Sequence, residues 1–91
     1  MILDILTPEA QIFHGTVEYV SLPGQDGEFQ VLQGHAAIIS ALKEGMVRLK
    51  TGSEATENVH LTKTEKEGEY GFNIRGGVAE MLGDKIVVLA E

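Results

Sequence analysis

Three histidines, His14, His35 and His60, are the side chains of this 91-residue sequence best suited to bind a metal ion or move protons near neutral pH. None stands at a short zinc-type spacing from another, so each reads as a structural or surface group. Together with Glu28 they would form a metal-dependent enzyme only if the fold gathered them. An activated serine has no signature either: no Gly-x-Ser-x-Gly occurs, and Ser21, Ser40 and Ser53 lack the context of a nucleophile elbow. Gly24-Gln25-Asp26-Gly27 and Arg75-Gly76-Gly77 are rich in glycine, yet neither ends in Gly-Lys-Ser/Thr or opens a helix that could hold a phosphate. Both read as turns, with Gly76-Gly77 forming a tight hairpin or a close backbone approach and leaving Arg75 free to pair with a carboxylate of a neighbouring subunit. Asp26 and Glu28 could serve as an acid and base pair, but in a turn solvent keeps both ionised. Catalysis is not indicated, and no cofactor is called for.

The elements that must position these residues are short strands. Runs of period two recur throughout, broken by Gly, Pro and Asp, and no long stretch keeps a helical apolar stripe. From Glu69 to Arg75, Tyr70, Phe72 and Ile74 point to a core face while Gly71, Asn73 and Arg75 point away. Val47 and Leu49 alternate with Arg48 and Lys50, and Val59 and Leu61 with His60 and Thr62. Ile86 and Val88 alternate with Val87 and Leu89, a last strand that looks buried on both faces. Turn chemistry separates the runs at Thr7-Pro8-Glu9, Pro23 to Gly27, Lys43-Glu44-Gly45, Thr51-Gly52-Ser53 and Gly83-Asp84-Lys85. A bulge near Glu18 would bring Val17, Val20 and Leu22 to one face. The charged stretch from Thr51 to Gly68 is expected to protrude as a hairpin with a solvated tip. This spacing of turns predicts an all-β fold, an antiparallel sandwich or barrel, with residues 1–91 as one domain.

Composition narrows the partners. Fourteen acidic residues against seven basic ones give a net charge of -7, which repels phosphate backbones and makes nucleic acid a poor partner. No cysteine is present, so disulfides and thiolate metal sites are excluded. The longest apolar run, Ile86-Val87-Val88-Leu89-Ala90, is far short of the roughly 20 residues that a membrane helix needs. Met1 leads directly into Ile2-Leu3-Asp4-Ile5-Leu6 with no basic targeting region ahead, which suggests a mature start in a bacterial type of cytoplasm.

Leu6-Thr7-Pro8-Glu9, Phe13-His14-Gly15, Leu22-Pro23-Gly24, Gly27-Glu28-Phe29 and Gly34-His35-Ala36 occur in an order that resembles the epsilon subunits of F-type ATP synthases. Ala41 to Arg48, Arg75-Gly76-Gly77-Val78-Ala79-Glu80 and Val87-Val88-Leu89-Ala90 continue the series. Only Thr51 to Gly68 is unmatched. The resemblance implies a β-sandwich of about ten strands on the rotor, bound to the gamma subunit and resting on the ring of c subunits at the cytoplasmic face of the bacterial inner membrane. It also implies a peripheral coupling role, with ATP chemistry left to the alpha and beta subunits; the mitochondrial homologue is called delta. On this resemblance Asp26, Gly27 and Glu28 are expected to touch the c-ring, and His35 and Ser40 the gamma subunit.

Two departures from the family pattern bear on those expectations. Gln33 and Ala37 stand where prolines often flank Gly-His-Ala, so the loop lacks two fixed φ angles. Family members also commonly continue into a C-terminal helical hairpin that carries an ATP-binding motif and an inhibitory action, and here the chain stops at Glu91; ATP binding is therefore not expected. A rival reading, a free-standing sandwich that binds a small molecule or glycan, lacks the aromatic platform such sites use, since Trp is absent and the strand pattern commits Tyr70 and Phe72 to the core.

Overall fold

A computed structural model describes residues 1–51 and 58–91, so Gly52, Ser53, Glu54 and Glu57 of the charged stretch lie outside the described residues. Among the described residues ten strands follow in order: β1 (Ile2–Leu6), β2 (Gln11–Thr16), β3 (Tyr19–Gly24), β4 (Gly27–Leu32), β5 (Ile38–Leu42), β6 (Gly45–Lys50), β7 (Thr62–Lys63), β8 (Glu69–Ile74), β9 (Gly77–Leu82) and β10 (Lys85–Ala90). They form one hydrogen-bonded sheet in the order β2-β1-β10-β9-β5-β3-β6-β8-β7, with β4 added to β3. The sheet curls at the step from β5 to β3, where Gly24 pairs with Leu42, and its two halves close over a common core as an all-β sandwich.

Alternation decides which side chains enter that core. Leu3 and Ile5 of β1, Val20 and Leu22 of β3, Val47 and Leu49 of β6, and Ile86 and Val88 of β10 are completely buried. Val17 joins Val20 and Leu22 inside, as expected, but the device is a break between β2 and β3 at Val17 and Glu18 rather than a bulge. A bulge does occur elsewhere: the β1–β2 register shifts between Ile5 and Leu6, which lets the consecutive Ile12 and Phe13 both reach the core. Tyr70 and Ile74 are buried as predicted, whereas Phe72 is half-buried and packs against the rim of the cluster.

Three expectations need correction. The sheet is not wholly antiparallel, because β1 runs parallel to β10, with Leu3 opposite Ile86 and Ile5 opposite Val88. Val59 is 90% exposed in a turn, where the Asn58 side chain accepts a hydrogen bond from the His60 N–H; only Thr62 and Lys63 are strand there. The last strand is buried on one face only, since Leu89 is 55% exposed and alternation governs it as it governs the others. Of the protruding hairpin, the described part is the β7–β8 turn, whose Glu65, Lys66 and Glu67 are exposed.

Strand edges and glycines are handled by local chemistry. The open edge of β2 is capped by side chains: Asn58 donates to the Ile12 carbonyl at 2.9 Å and Thr51 to the Thr16 carbonyl at 2.8 Å. Gly77, with φ of 151°, begins β9 against both β5 and β10, and a Cβ there would stand 2.2 Å from the Leu89 carbonyl oxygen. The expected close backbone approach at Gly76-Gly77 is thus present, and only glycine allows it.

Two polar clusters lock strands together on the outer surface. Asp4 of β1 is nearly buried and accepts from Lys85 of β10 at 3.3 Å and from His14 of β2, so a single carboxylate ties three neighbouring strands. Burial pushes its pKa up, but the hydrogen bonds and positive charges of His14 and Lys85 outweigh that, and the net shift is downward. On the other half of the sheet, the buried Glu69 accepts from the Tyr19 hydroxyl and from Thr64 at 2.6 Å. Burial again opposes ionisation there, and the hydrogen bonds from Thr64 and Tyr19, with the charges of Lys66 and Arg48, win and lower the Glu69 pKa. Burial and the neighbouring Glu69 carboxylate push the Tyr19 hydroxyl up to about 12.

These packing and charge arrangements generate two tests. Leu49→Ala removes a fully buried side chain from a central strand and should cost about 2 to 5 kcal/mol in urea unfolding, and Gly77→Ala should cost more than about 1 kcal/mol. Unfolding midpoints equal to the parent's for both would refute this core and this close approach. For pH, Asp4 and Glu69 have folded pKa values below their ordinary 3.8 and 4.5, so the stability they supply is present above those values and lost as pH falls further. Tyr19 has a folded value above its ordinary 10.0, so its contribution is present below pH 10 and lost as pH rises toward about 12. Melting temperatures should therefore hold a plateau between those limits, with Asp4→Asn shrinking the acid fall and Tyr19→Phe the alkaline one. Titration curves of the two variants that overlay the parent's would show that these groups are not the ones responsible.

Candidate functional site

The β3–β4 hairpin is built to hold a short, rigid turn. Gly24 and Gly27 face each other across Gln25 and Asp26, and Gly27 has φ of 127°, a conformation that side chains disfavour. Two backbone hydrogen bonds then moor the turn to β5 and to the corner after it: Gln25 N–H to the Ala41 carbonyl at 3.2 Å, and Lys43 N–H to the Pro23 carbonyl at 2.8 Å. Because of this mooring, the turn stands beside the loop from Gln33 to Ala37 that connects β4 to β5. In that loop the His35 N–H donates to the Leu32 carbonyl at 3.1 Å, and its ring Nδ1 lies 2.7 Å from the Ala36 carbonyl.

The two segments border one surface depression of about 410 Å³. Asp26, Gly27, Glu28, His35 and Ser40 all line it, and Phe29, Ile38 and Ile39 supply its apolar surface. All five residues singled out from the sequence therefore meet at one place rather than on two separated faces. Their exposures differ: His35, Asp26 and Glu28 are exposed, while Ser40 is half-buried opposite Ala79, with its hydroxyl 3.4 Å from the Ala41 carbonyl. Ile39 is 76% exposed, an unusual setting for so large an apolar side chain and one the sequence pattern did not single out.

Arg48 is the other residue that sequence reasoning missed. Its Nη1 donates to the Glu28 carboxylate at 2.7 Å, reaching across β3 from β6 to β4. The alternation of Arg48 with Val47 and Leu49 placed it on the outer face, but its partner follows only from the register of two ladders. No group of three or more His, Cys, Asp or Glu side chains among the described residues is arranged to hold a metal ion. Arg75, expected to look outward, is exposed, with its N–H given to the Glu91 carbonyl at 3.1 Å. No helix of the described residues is long and apolar enough to cross a membrane.

Comparison with known proteins agrees with this architecture. The chain is 39% identical over 89 residues to an ATP synthase epsilon chain of Chlorobium limicola, covering 98% of this chain and 86% of that one. It is 34% identical over 91 residues to the ATP synthase epsilon chain of Janthinobacterium, of which it spans 56%. Among solved structures, a chain in the Euglena gracilis mitochondrial ATP synthase, described as OSCP/F1/c-ring, has the same fold with a TM-score of 0.75 at 18% identity, covering 99% of this chain and 49% of that one. A chain of the Tetrahymena thermophila mitochondrial ATP synthase central stalk and c-ring matches with a TM-score of 0.71 at 14% identity, covering 98% of this chain and 61% of that one. The family model for the ATP synthase delta/epsilon chain β-sandwich domain matches residues 1–91, and the chain belongs to that family.

Proposed function

We propose that this chain is a non-catalytic rotor subunit of a proton-transporting F-type ATP synthase, joining the gamma subunit to the c-ring so that proton-driven rotation reaches the catalytic head. In this reading residues 1–91 act as one β-sandwich unit, peripheral to the cytoplasmic face of a bacterial inner membrane. The observation that carries it, beyond family membership, is the depression at which the moored turn Asp26–Gly27–Glu28 and the residues His35 and Ser40 converge, with Ile39 exposed beside them. Asp26 to Glu28 would meet polar loops of the c-ring, and His35 with Ser40 the gamma subunit. Acidic groups at the turn suit a partner surface that carries positive charge. Because both segments border one depression, the two partners would sit close together there.

A free-standing glycan-binding module has less support. Stacking a sugar needs an exposed aromatic ring, and none of Phe13, Tyr19, Phe29, Tyr70 and Phe72 is exposed. ATP binding is not part of the proposal, since Gly24 to Gly27 form the β3–β4 turn and Gly77 is the first residue of β9, packed against β5 and β10; saturable heat on titrating the chain with ATP would contradict this.

Charge reversal separates the two contacts. Glu28→Lys should leave folding and gamma binding near normal but lower proton-coupled ATP synthesis in reconstituted membranes, because like charges facing each other across an interface can cost several kcal/mol. His35→Glu should mainly weaken gamma binding. Full coupling with the first variant and undiminished gamma affinity with the second, in proteins that melt at the parent temperature, would sink the assignment.

A further inference from the structure

We propose that Arg48 is a positioning residue for the c-ring contact, holding the Glu28 carboxylate against the outer face of the sheet. The inference rests on the contact reading of Glu28 given above. Glu28 follows the turn on β4, pairs with Pro23 of β3, and is exposed, so on its own its side chain would sample several rotamers. Arg48 removes that freedom from two strands away. It pairs with Ser21 on β3 and with Gly71 on β8, and its guanidinium crosses β3 to reach Glu28 Oε2 at 2.7 Å. The space over Gly71, opposite Arg48 on β8, is taken by the Met46 side chain. Arg48 also lines a second depression together with the buried Glu69 of β8, whose pKa its charge helps to lower.

The charge offered at the turn follows from this arrangement. Glu28 is compensated within the chain, whereas Asp26, at the tip, is exposed and has no ion pair among the described residues. A partner cation would therefore meet a bare charge at Asp26 and an already oriented acceptor at Glu28. Arg48 is in this sense a second determinant of the contact, acting through Glu28 rather than touching the partner.

The test is a double-mutant cycle on the synthase reconstituted with the full chain, combined with NMR of the free chain. In the free chain, Arg48→Gln should shift the three-bond couplings that report the Glu28 χ1 angle toward free-rotor averages, and Arg48→Lys should shift them less. In the reconstituted synthase, Arg48→Gln should lower coupled ATP synthesis about as much as Glu28→Gln does, by roughly two- to fivefold. The double variant should be no worse than either single one, and Arg48→Lys should restore part of the loss. Unchanged Glu28 couplings in the Arg48→Gln chain overturn the proposal. So does an Arg48→Gln loss that is just as large in the Glu28→Gln background, because Arg48 would then act by another route. Undiminished synthesis with Glu28→Gln alone instead overturns the contact reading of Glu28, and the positioning role falls with it.

Discussion

The ladder between β1 and β10 is the contact on which the rest of this fold depends. β1 and β2 pair with each other, and among the described residues the only other strand that either meets in the sheet is β10. Parallel neighbours cannot be joined by a tight turn, and these two strands lie far apart in the sequence, so their pairing carries the entropy cost of closing a long loop. Leu3 and Ile5 then meet Ile86 and Val88 in register, and all four side chains are fully buried. Asp4 fixes the same junction on the outside, reaching Lys85 on β10 and His14 on β2. An apolar ladder alone would tolerate a slip by two residues, whereas a nearly buried carboxylate with two partners selects one register. Much of the core therefore rests on contacts distant in sequence, as is usual in β-sandwiches.

This closure also shapes the surface that the candidate site occupies. β10 holds β9, β9 holds β5, and β5 in turn moors the β3–β4 turn through the Ala41 carbonyl. The position of Asp26 and Glu28 relative to His35 is thus set by a chain of ladders that begins at the β1–β10 pair. The two halves of the sheet present different outer faces. On the half with β4, β3, β6 and β8, side chains bond across strands, as Arg48 does to Glu28 and Tyr19 to Glu69. On the other half, the bonded cluster of Asp4, Lys85 and His14 joins β10, β1 and β2, and Ile39, Val78, Leu82 and Leu89 are exposed on β5, β9 and β10. Ile39, paired with the exposed Glu80 of β9, is one of those apolar groups and also lines the depression, so the site lies where the two kinds of surface meet.

Local chemistry made much of this readable from the sequence. Val47 and Leu49, Tyr70 and Ile74, and Ile86 and Val88 show their inward face by alternation, because a strand with one wet face has no other way to bury its apolar set. Pro23 to Gly27 and Gly83-Asp84 announce turns through residues that suit turn conformations. What failed was what depends on pairing partners. Nothing local marks β1 as parallel to β10, and the even hydrophobicity of Val87 to Leu89 suggested burial on both faces although Leu89 faces outward. Val59 followed the alternating pattern, yet Asn58 claims the next backbone for a turn. The candidate residues of the site came from motif resemblance, and their convergence on one depression needed the fold. Arg48 needed still more, since its link to Glu28 requires the β3–β4 and β3–β6 registers together.

An exposed ion pair such as Arg48–Glu28 has little effect on stability while water surrounds it, because solvent screens the attraction and holding two long side chains in place costs entropy. Covering it with a partner changes the balance. Desolvation then penalises each charge, and the pair keeps its value only if both groups stay bonded, so a partner that offers a mismatched charge or no donor is rejected more strongly than a correct one is favoured. The flanking apolar groups act in the opposite sense: Ile39, Phe29 and Ile38 gain from being covered whatever the partner, in proportion to the area removed from water. A surface that combines the two can obtain affinity from its apolar floor and discrimination from its polar rim. The moored β3–β4 turn suits that division, since a rim group discriminates only as sharply as its position is defined, and the Ala41 and Pro23 carbonyls define it from the backbone upward.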